Sequence, residues 1–221
     1  MYNIDLHTHT TFNQSFKGRV TEQANLRILS RIAELRGLDG IAVTNHNFSR
    51  PTRTVNGVVF LPGIEVSTTA GHVLVIGPNP PQSTAPRKLS PSEVVEMAHQ
   101  RGCAAIIPHP HRKSNVKSSY ASFDAVEING KHPYTADVVR KLAKERGVSI
   151  VGGSDAHLPI EIGNTYTQVN ADELTAESVV ESIRSHEVEP VVNESVGFKP
   201  VRLAHKSNRK RKQDLDLPQN D

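Results

Sequence analysis

Five short segments, far apart in the chain, each place a histidine or a carboxylate directly after an apolar run. They are Asp5-Leu-His7-Thr-His9, Thr44-Asn-His46-Asn47, Gly63-Ile-Glu65, Pro108-His109-Pro-His111 and Gly153-Ser-Asp155-Ala-His157. Short apolar runs bounded by turn residues are typical of buried strands. Nitrogen and oxygen ligands in such numbers, without thiolates, indicate a multinuclear metal site, and such sites mostly carry out hydrolysis.

Strand-like and helix-like patterns alternate along the chain. Strands are predicted at Tyr2–His7, Gly40–Thr44, Val58–Leu61, His72–Ile76, Ala104–Pro108, Ala125–Asn129 and Val148–Gly152, with a turn at Pro62 and Gly63. Helices are predicted at Thr21–Arg36, from Ser90 or Ser92 to Arg101, at Tyr134–Arg146 and at Leu174–His186. This alternation favours parallel βαβ units and a closed or distorted (β/α) barrel. The candidate ligands, and Glu127 with them, lie at the carboxyl ends of the strands, where such barrels carry their active sites.

Basic residues are concentrated near the carboxyl terminus. The formal net charge is +3, and five positive charges lie between Lys206 and Lys212, so the rest of the chain nets to about −2. We expect one domain over residues 1–203 and a basic, disordered tail over residues 204–221, through which nucleic acid could bind. No apolar run approaches the roughly 20 residues that span a bilayer, and no signal peptide precedes the first strand. A cytoplasmic protein without a membrane partner is therefore expected.

His7 and His9 are the sharpest ligand candidates. Alternate residues of a strand point to the same side, so both imidazoles can reach one ion. Asp5 is expected to orient an imidazole as a hydrogen-bond acceptor. Glu65 lies in an apolar stretch, where a carboxylate is costly unless it is paired or bound to metal. A bridging role between two ions is expected for Glu65, with a salt bridge to a nearby cation as the alternative.

Two later segments supply further candidates. His109 is the ligand candidate at the end of its strand, whereas His111 can instead contact substrate or solvent. Asp155 and His157 again stand two residues apart, and we expect both to bind metal. His46 could hold a further ion together with His157.

The remaining polar residues of the strand-end loops suit other roles. His132 is a candidate ligand with Asn129 as its rival, and His72 can line the pocket. The basic residues of these loops would suit a substrate that carries phosphate. They are Arg112, Lys113 and Lys131.

These motifs resemble the PHP (polymerase and histidinol phosphatase) family of metal-dependent phosphoesterases. Residues 5–10 match the first motif of that family and residues 40–47 the second. Residues 63–67, with 71–74 following, are similar to the third motif, and residues 108–111 and 153–157 are similar to the late ones. The resemblance covers roughly residues 2–170, with the motifs in the family's order.

The resemblance implies an α/β fold, a distorted, TIM-like (β/α)7 barrel with the metal site at the carboxyl ends of its strands. It also implies two or three divalent ions of manganese, zinc or iron. His7, His9, Glu65 and Asp155 would hold one ion. Glu65 and His109 would hold a second, with a residue of the 129–132 segment, for which His132 is the candidate. His46 and His157 would contribute to a third.

Two departures from the family pattern fall around the third ion. The second motif reads Asn45-His46-Asn47 where the family often has Asp-His-Asp or Asp-His-Asn. The segment Thr11–Ser15 lacks the Asp or His that often follows the first motif. The ligands expected for two ions are nevertheless complete.

We therefore expect a phosphoesterase that hydrolyses a phosphomonoester or phosphodiester through a metal-bound hydroxide. His157 or His46 would protonate the leaving group, while Arg112, Lys131 and His72 contact a phosphorylated small molecule or nucleotide. One alternative is a metal-dependent hydrolase of a C–N or C–O bond, because fold does not fix function. Another is a nucleic-acid-processing or nucleic-acid-binding protein that uses the basic tail, although the sequence contains no dedicated nucleic-acid module.

Overall fold

The computed structural model describes residues 1–10, 22–112 and 114–193. Its strands are β1 (Tyr2–Thr8), β2 (Gly40–Val43), β3 (Arg53–Val55), β4 (Val58–Thr68), β5 (Gly71–Ile76), β6 (Ala104–Ile107), β7 (Ala125–Asn129), β8 (Ser149–Gly153), β9 (Thr165–Val169) and β10 (Val188–Val192). Its helices are α1 (Glu22–Leu35), α2 (Pro91–Gln100), α3 (Ala136–Arg146) and α4 (Ala176–Arg184). The predictions for Thr11–Ser15, Lys113 and the basic tail fall outside the described residues.

All the strands named above join one sheet. Its order is β10-β9-β1-β2-β4-β5-β6-β7-β8, with β3 paired to β4. Strands β1, β2 and β4 run parallel, as do β6, β7 and β8. Strand β5 runs antiparallel between these two sets, and β9 is antiparallel to both β1 and β10. Within the described residues, no helix is long and apolar enough to cross a membrane.

The sheet curves until the ends of β1 and β8 meet. The N–H of His9 donates to the carbonyl oxygen of Ala156 at 2.8 Å, and the N–H of Ala156 donates to the carbonyl oxygen of His7 at 3.3 Å. The N–H of Ser154 donates to the carboxylate of Asp5 at 2.9 Å. The sheet is therefore a nearly closed barrel, and the predicted α/β barrel fold is confirmed.

The predicted turn at Pro62 and Gly63 is wrong, because β4 runs straight through both residues. The first half of β4 pairs with β2 and β3, and its second half pairs with β5. Pro62 has no N–H to donate, but its carbonyl oxygen accepts the N–H of Gly77 at 3.3 Å. A side chain at Gly63 would place its Cβ 2.8 Å from the Thr44 side chain, so glycine permits this close crossing.

The sequence patterns did not predict β3, β9 and β10. In β9 the buried positions are Thr165, Thr167 and Val169. Because two of the three are threonines, the sequence does not show the alternation of apolar and polar residues that predicts a strand. The Thr167 hydroxyl accepts the N–H of Gly152 at 2.8 Å and donates to its carbonyl oxygen at 2.9 Å. A polar side chain can be buried there because β8 satisfies it.

The inner face of the barrel changes from apolar to polar along β4 and β5. Leu61 of β4 and Leu74 of β5 are buried in an apolar cluster to which α4 also contributes. Alternate residues of a strand share one face. Glu65, four residues after Leu61, and His72, two residues before Leu74, therefore lie on that same inner face toward one end of the barrel. The other helices pack outside, with α1 on one apolar cluster and α2 and α3 on another.

Candidate metal centre

Glu65 lies at the centre of the polar end of the barrel. Its side chain is only 1% exposed, and four imidazoles lie within 3.3 Å of its carboxylate. The distances are 3.0 Å from His46 Nδ1, 2.7 Å from His72 Nδ1, 3.1 Å from His109 Nε2 and 3.3 Å from His9 Nε2. Since β4 continues through Pro62 and Gly63, this carboxylate is held by a long strand of the sheet and not by a loop.

His7 and His9 approach Glu65 from β1. Their Nε2 atoms lie 3.6 and 3.3 Å from Glu65 Oε2, and 3.9 and 3.5 Å from Asp155 Oδ1. The predicted convergence of these two imidazoles on one place is therefore present. Asp155 follows β8 with a positive φ of 53°, a conformation that few non-glycine residues adopt, although aspartate does so more readily than most.

Many buried polar atoms of this cluster have no hydrogen-bond partner among the described residues. They are His7 Nε2, both ring nitrogens of His9, Glu65 Oε2, His72 Nδ1 and His109 Nδ1. A buried polar group without a partner costs about 1–3 kcal/mol. Imidazole nitrogens and carboxylate oxygens are also the donors that zinc, manganese and iron accept. The donor set therefore fits divalent cations.

Three overlapping groups of side chains could each hold an ion. In each group the ligand atoms lie within 4.8 Å of one another. The groups are His7, His9 and Glu65; His46, Glu65 and His72; and His9, His46 and His157. Glu65 recurs in two groups and can bridge two ions through its two oxygens, whereas His9 and His46, which also recur, can each bind one ion.

Two basic side chains lie on the Asp155 side of the cluster. Lys131 Nζ is 2.9 Å from Asp155 Oδ1 and 2.8 Å from His157 Nδ1. Arg112 lies 3.3 Å from Asp155 Oδ2. Both residues had been predicted to contact phosphate, and they lie beside the candidate ligands.

The carboxylate that orients an imidazole of β1 is Glu127 and not Asp5. Asp5 accepts the backbone N–H groups of His7, Ser154 and Gly163 at 3.2, 2.9 and 2.9 Å. Glu127 Oε1 lies 2.7 Å from His7 Nδ1. The sequence placed Glu127 at a strand end but gave it no role, because its contact with His7 spans 120 residues of chain.

The close approach of Glu127 and His7 depends on Gly153. A Cβ built at this glycine would lie 2.6 Å from the His7 Cβ and would collide with Glu127 Oε1. Any side chain there would occupy the space in which the imidazole and the carboxylate meet. Gly153 therefore leaves room for the contact.

Burial and neighbouring charges act on the cluster in opposite directions. Burial alone would raise the pKa of Glu65, but the surrounding histidines hold it well below its usual range. Burial would lower the pKa of His7, but the carboxylates of Glu127, Glu65 and Asp155 raise it well above its usual range. Burial dominates for His9, whose pKa falls to about 3, and for Asp5, whose pKa rises to about 6. Glu65 and its neighbours thus keep carboxylates ionised in a buried place, and this favours the binding of cations there.

His132 lies apart from the groups described above. Its Nδ1 is 3.0 Å from the hydroxyl of Tyr134, and its rival Asn129 donates to Glu127 Oε2 at 2.9 Å. The assignment of His132 as a ligand stays a prediction. The other predicted metal ligands, and His72 with them, lie within the cluster.

The asparagines of the second motif form hydrogen bonds within the surrounding loops. Asn45 Oδ1 accepts the N–H of Thr10 at 2.9 Å, and Asn47 Nδ2 donates to Ser67 Oγ at 3.0 Å. The departure from the family pattern therefore places structural amides on either side of His46.

Comparison with known sequences gives the family. The profile described as PHP-associated (PHP_C) matches residues 135–188. An uncharacterised protein of Methanocaldococcus jannaschii is 31% identical over 120 residues, which cover 48% of this chain and 67% of that protein. The chain belongs to the PHP family. The PHP motifs read from the sequence are the segments that form the cluster around Glu65.

Solved structures share the PHP fold. PsfC of Pseudomonas syringae has a TM-score of 0.69 at 21% identity, covering 96% of this chain and 98% of PsfC. A second structure is a two-domain protein of Bacteroides vulgatus, described as containing a predicted PHP-like metal-dependent phosphoesterase. Its TM-score is 0.61 at 20% identity, and the alignment covers 87% of this chain and 65% of the Bacteroides vulgatus protein. The lesion-specific endonuclease Q of Pyrococcus furiosus has a TM-score of 0.61 at 21% identity, covering 83% of this chain and 56% of the endonuclease. At these identities the similarity establishes the fold alone.

Proposed function

We propose that the protein is a metal-dependent phosphoesterase that hydrolyses a phosphomonoester or a phosphodiester. The observation that carries the proposal is the convergence of unpartnered, buried imidazole and carboxylate atoms on Glu65, beside Lys131 and Arg112. The first feature suits cations and the second suits a phosphate substrate. Membership of a family of metal-dependent phosphoesterases supports the same reaction.

The ligand assignment follows the contacts of each side chain. His7, His9, Glu65 and Asp155 would hold one ion. Glu65 and His109 would hold a second, with His72 within reach because its Nδ1 lies 2.7 Å from Glu65 Oε1. His46 and His157 would contribute to a third. We propose two or three divalent ions of manganese, zinc or iron.

The bound ions would supply Lewis acidity, which activates a water molecule and neutralises charge on the phosphoryl oxygens. Lys131 and Arg112 would bind those oxygens, since both are cationic and lie beside Asp155. His46, whose side chain is 43% exposed, lies where a leaving group can reach it. In a centre with two ions only, His46 or His157 would instead donate the proton that the leaving group needs.

A nucleic-acid substrate is the second candidate, and the shared fold of endonuclease Q favours it. One solved structure of endonuclease Q is described as a complex with a 27-mer duplex that carries an abasic lesion at the active site. This chain covers 56% of that protein, at 19% identity. The phosphodiester of a nucleic acid is a substrate of the same chemical class, so the same residues would act.

Elemental analysis of the purified protein, combined with two chromogenic esters and added Mn²⁺, tests the proposal. We expect two or three ions per chain and turnover of p-nitrophenyl phosphate or of bis-p-nitrophenyl phosphate. The ratio of the two rates separates a monoesterase from a diesterase. An oligonucleotide duplex with an abasic site tests the nucleic-acid substrate directly.

Matched variants give the control for this experiment. Asp155→Ala and His9→Ala should abolish turnover while the chain still folds, whereas the surface variant Lys141→Ala should retain it. Bound metal without turnover of any phosphate ester would favour hydrolysis of a C–N or C–O bond. Absence of bound metal in the folded protein would disprove the proposal.

A further inference from the structure

Glu127 of β7 lies at the junction between two ligand strands. Its side chain is 1% exposed, and both of its oxygens are engaged. Oε1 lies 2.7 Å from His7 Nδ1. Oε2 accepts the backbone N–H of His109 and the side-chain N–H of Asn129, both at 2.9 Å. One buried carboxylate therefore contacts two candidate metal ligands from different strands.

The contact with His7 determines which ring nitrogen can bind metal. An ionised carboxylate only accepts hydrogen bonds, so His7 Nδ1 must carry the proton. In the neutral ring, the form that binds metal, the lone pair then lies on His7 Nε2. That nitrogen is buried, has no hydrogen-bond partner and lies 3.6 Å from Glu65 Oε2.

The contact with His109 acts on the backbone. His109 has a positive φ of 31°, which is costly for a residue with a side chain. The hydrogen bond from its N–H to Glu127 holds this conformation, in which His109 Nε2 lies 3.1 Å from Glu65 Oε1. Glu127 thus holds His7 and His109 against the same carboxylate.

We infer that Glu127 is a positioning residue of the metal centre, which fixes the proton on His7 Nδ1 and orients His109 toward Glu65. The inference rests on the metal centre proposed above. Glu127 acts through these two ligands and does not need to touch the substrate. Metal-bound histidines commonly donate their second N–H to a carboxylate, and loss of that partner typically costs 10–100-fold in metal affinity.

The same strand offers a matched control. Asp124, directly before β7, has its Oδ2 2.9 Å from His99 Nε2 and accepts the backbone N–H of Ala105 at 2.7 Å. This carboxylate also joins an imidazole to the backbone of β6, but at the opposite end of the barrel. Asp124→Asn therefore reports the structural cost of neutralising such a carboxylate without changing the candidate ligands.

The test compares zinc affinity and thermal stability of the wild type, Glu127→Gln and Asp124→Asn. Zinc affinity is measured by competition with a chelator, and unfolding is measured on the zinc-free proteins. We expect Glu127→Gln to bind zinc about 10–100-fold more weakly. Asp124→Asn should lower the melting temperature of the zinc-free protein and leave zinc affinity unchanged. Equal zinc affinity in Glu127→Gln and the wild type would overturn the inference.

A second measurement on the zinc-loaded wild type decides the matter even where Glu127→Gln does not fold. Nitrogen-15 correlation spectra, assigned with a His7→Gln variant, should show His7 protonated at Nδ1 and bound to zinc through Nε2. A proton on Nε2 would disprove the inference. Neither measurement needs turnover, so a protein that passes both but hydrolyses no phosphate ester would refute the proposed function alone.

Discussion

The two ends of strand β7 show similar chemistry used in two ways. At the amino end, Asp124 contacts His99 Nε2 at 2.9 Å and Arg184 Nε at 3.1 Å. The Arg184 side chain also donates to the carbonyl oxygen of Cys103 at 2.8 Å. At the carboxyl end, Glu127 contacts His7, but His7 Nε2 has no hydrogen-bond partner among the described residues.

The difference between the ends lies in how many buried polar atoms have a hydrogen-bond partner. At the amino end the chain supplies its own cation, Arg184, and the carboxylate is neutralised. At the carboxyl end several buried atoms around Glu65 remain unpartnered, so the fold bears a cost that a bound cation can offset. One end is therefore suited to stability, and the other is suited to binding.

The largest effect should follow from removing the central carboxylate of the binding end. Glu65→Gln deprives five imidazoles of their shared anion, so we expect bound metal to be lost and phosphate ester turnover to disappear. Elemental analysis and rates with p-nitrophenyl phosphate check this. A variant that keeps its full metal content would show that the cluster binds cations without Glu65.

The opposite end should respond in stability and not in activity. Asp124→Ala leaves Arg184 and His99 without their shared partner, and we expect a loss of about 2–3 kcal/mol in the free energy of unfolding. Denaturant titration measures this loss. Because the binding end is unchanged, metal content and turnover per folded molecule should equal those of the wild type, and a fall in either would break the contrast.

Metal removal should affect the binding end alone. An ion that binds only the native state adds about 2.7 kcal/mol of stability at 100 times its Kd. Thermal unfolding with and without a chelator should show this increment in the wild type and in Asp124→Ala, and should show none in Glu65→Gln. A chelator effect of equal size in Glu65→Gln would place the ion elsewhere.

The smallest effect should come from the basic rim of the binding end. Lys131→Met removes a cation that lies 2.9 Å from Asp155 Oδ1, and we expect KM for a phosphate ester to rise about tenfold, which corresponds to ~1.4 kcal/mol. Steady-state kinetics measure this. If the metal content of this variant is unchanged, Lys131 contributes to substrate binding and not to metal binding. A higher metal content would show that the Lys131 ammonium group competes with an ion for the same place.

The sequence predicted the binding end better than the rest of the barrel. Each ligand segment follows an apolar strand, and the carboxyl ends of the strands in such a barrel lie close together. This rule was enough to predict the proximity of five side chains, which are His7, His46, Glu65, His109 and Asp155. The role of Glu127 could not be read, because an acidic residue in a strand says nothing about which distant imidazole it meets. For the same reason Asp5 was expected to orient an imidazole, and in the structure it binds backbone N–H groups.

The errors in the fold have similar physical causes. The break predicted at Pro62 and Gly63 assumed that these residues end a strand, but here they let β4 cross from one pair of neighbours to another. Strand β9 was missed because threonine occupies two of its buried positions, and the partner of the Thr167 hydroxyl lies in β8, 15 residues away in the chain. The boundary of the domain at residue 203 and the cytoplasmic location stay predictions.

Gly153 has a consequence for how this site can vary. The gap that its missing side chain leaves is shared by the His7 imidazole and the Glu127 carboxylate. A single added methyl group would force one of them to move, although it changes no charge and no ligand. The chemistry of the centre therefore depends on a volume as well as on a set of donor atoms, and this position is intolerant to the most conservative of substitutions.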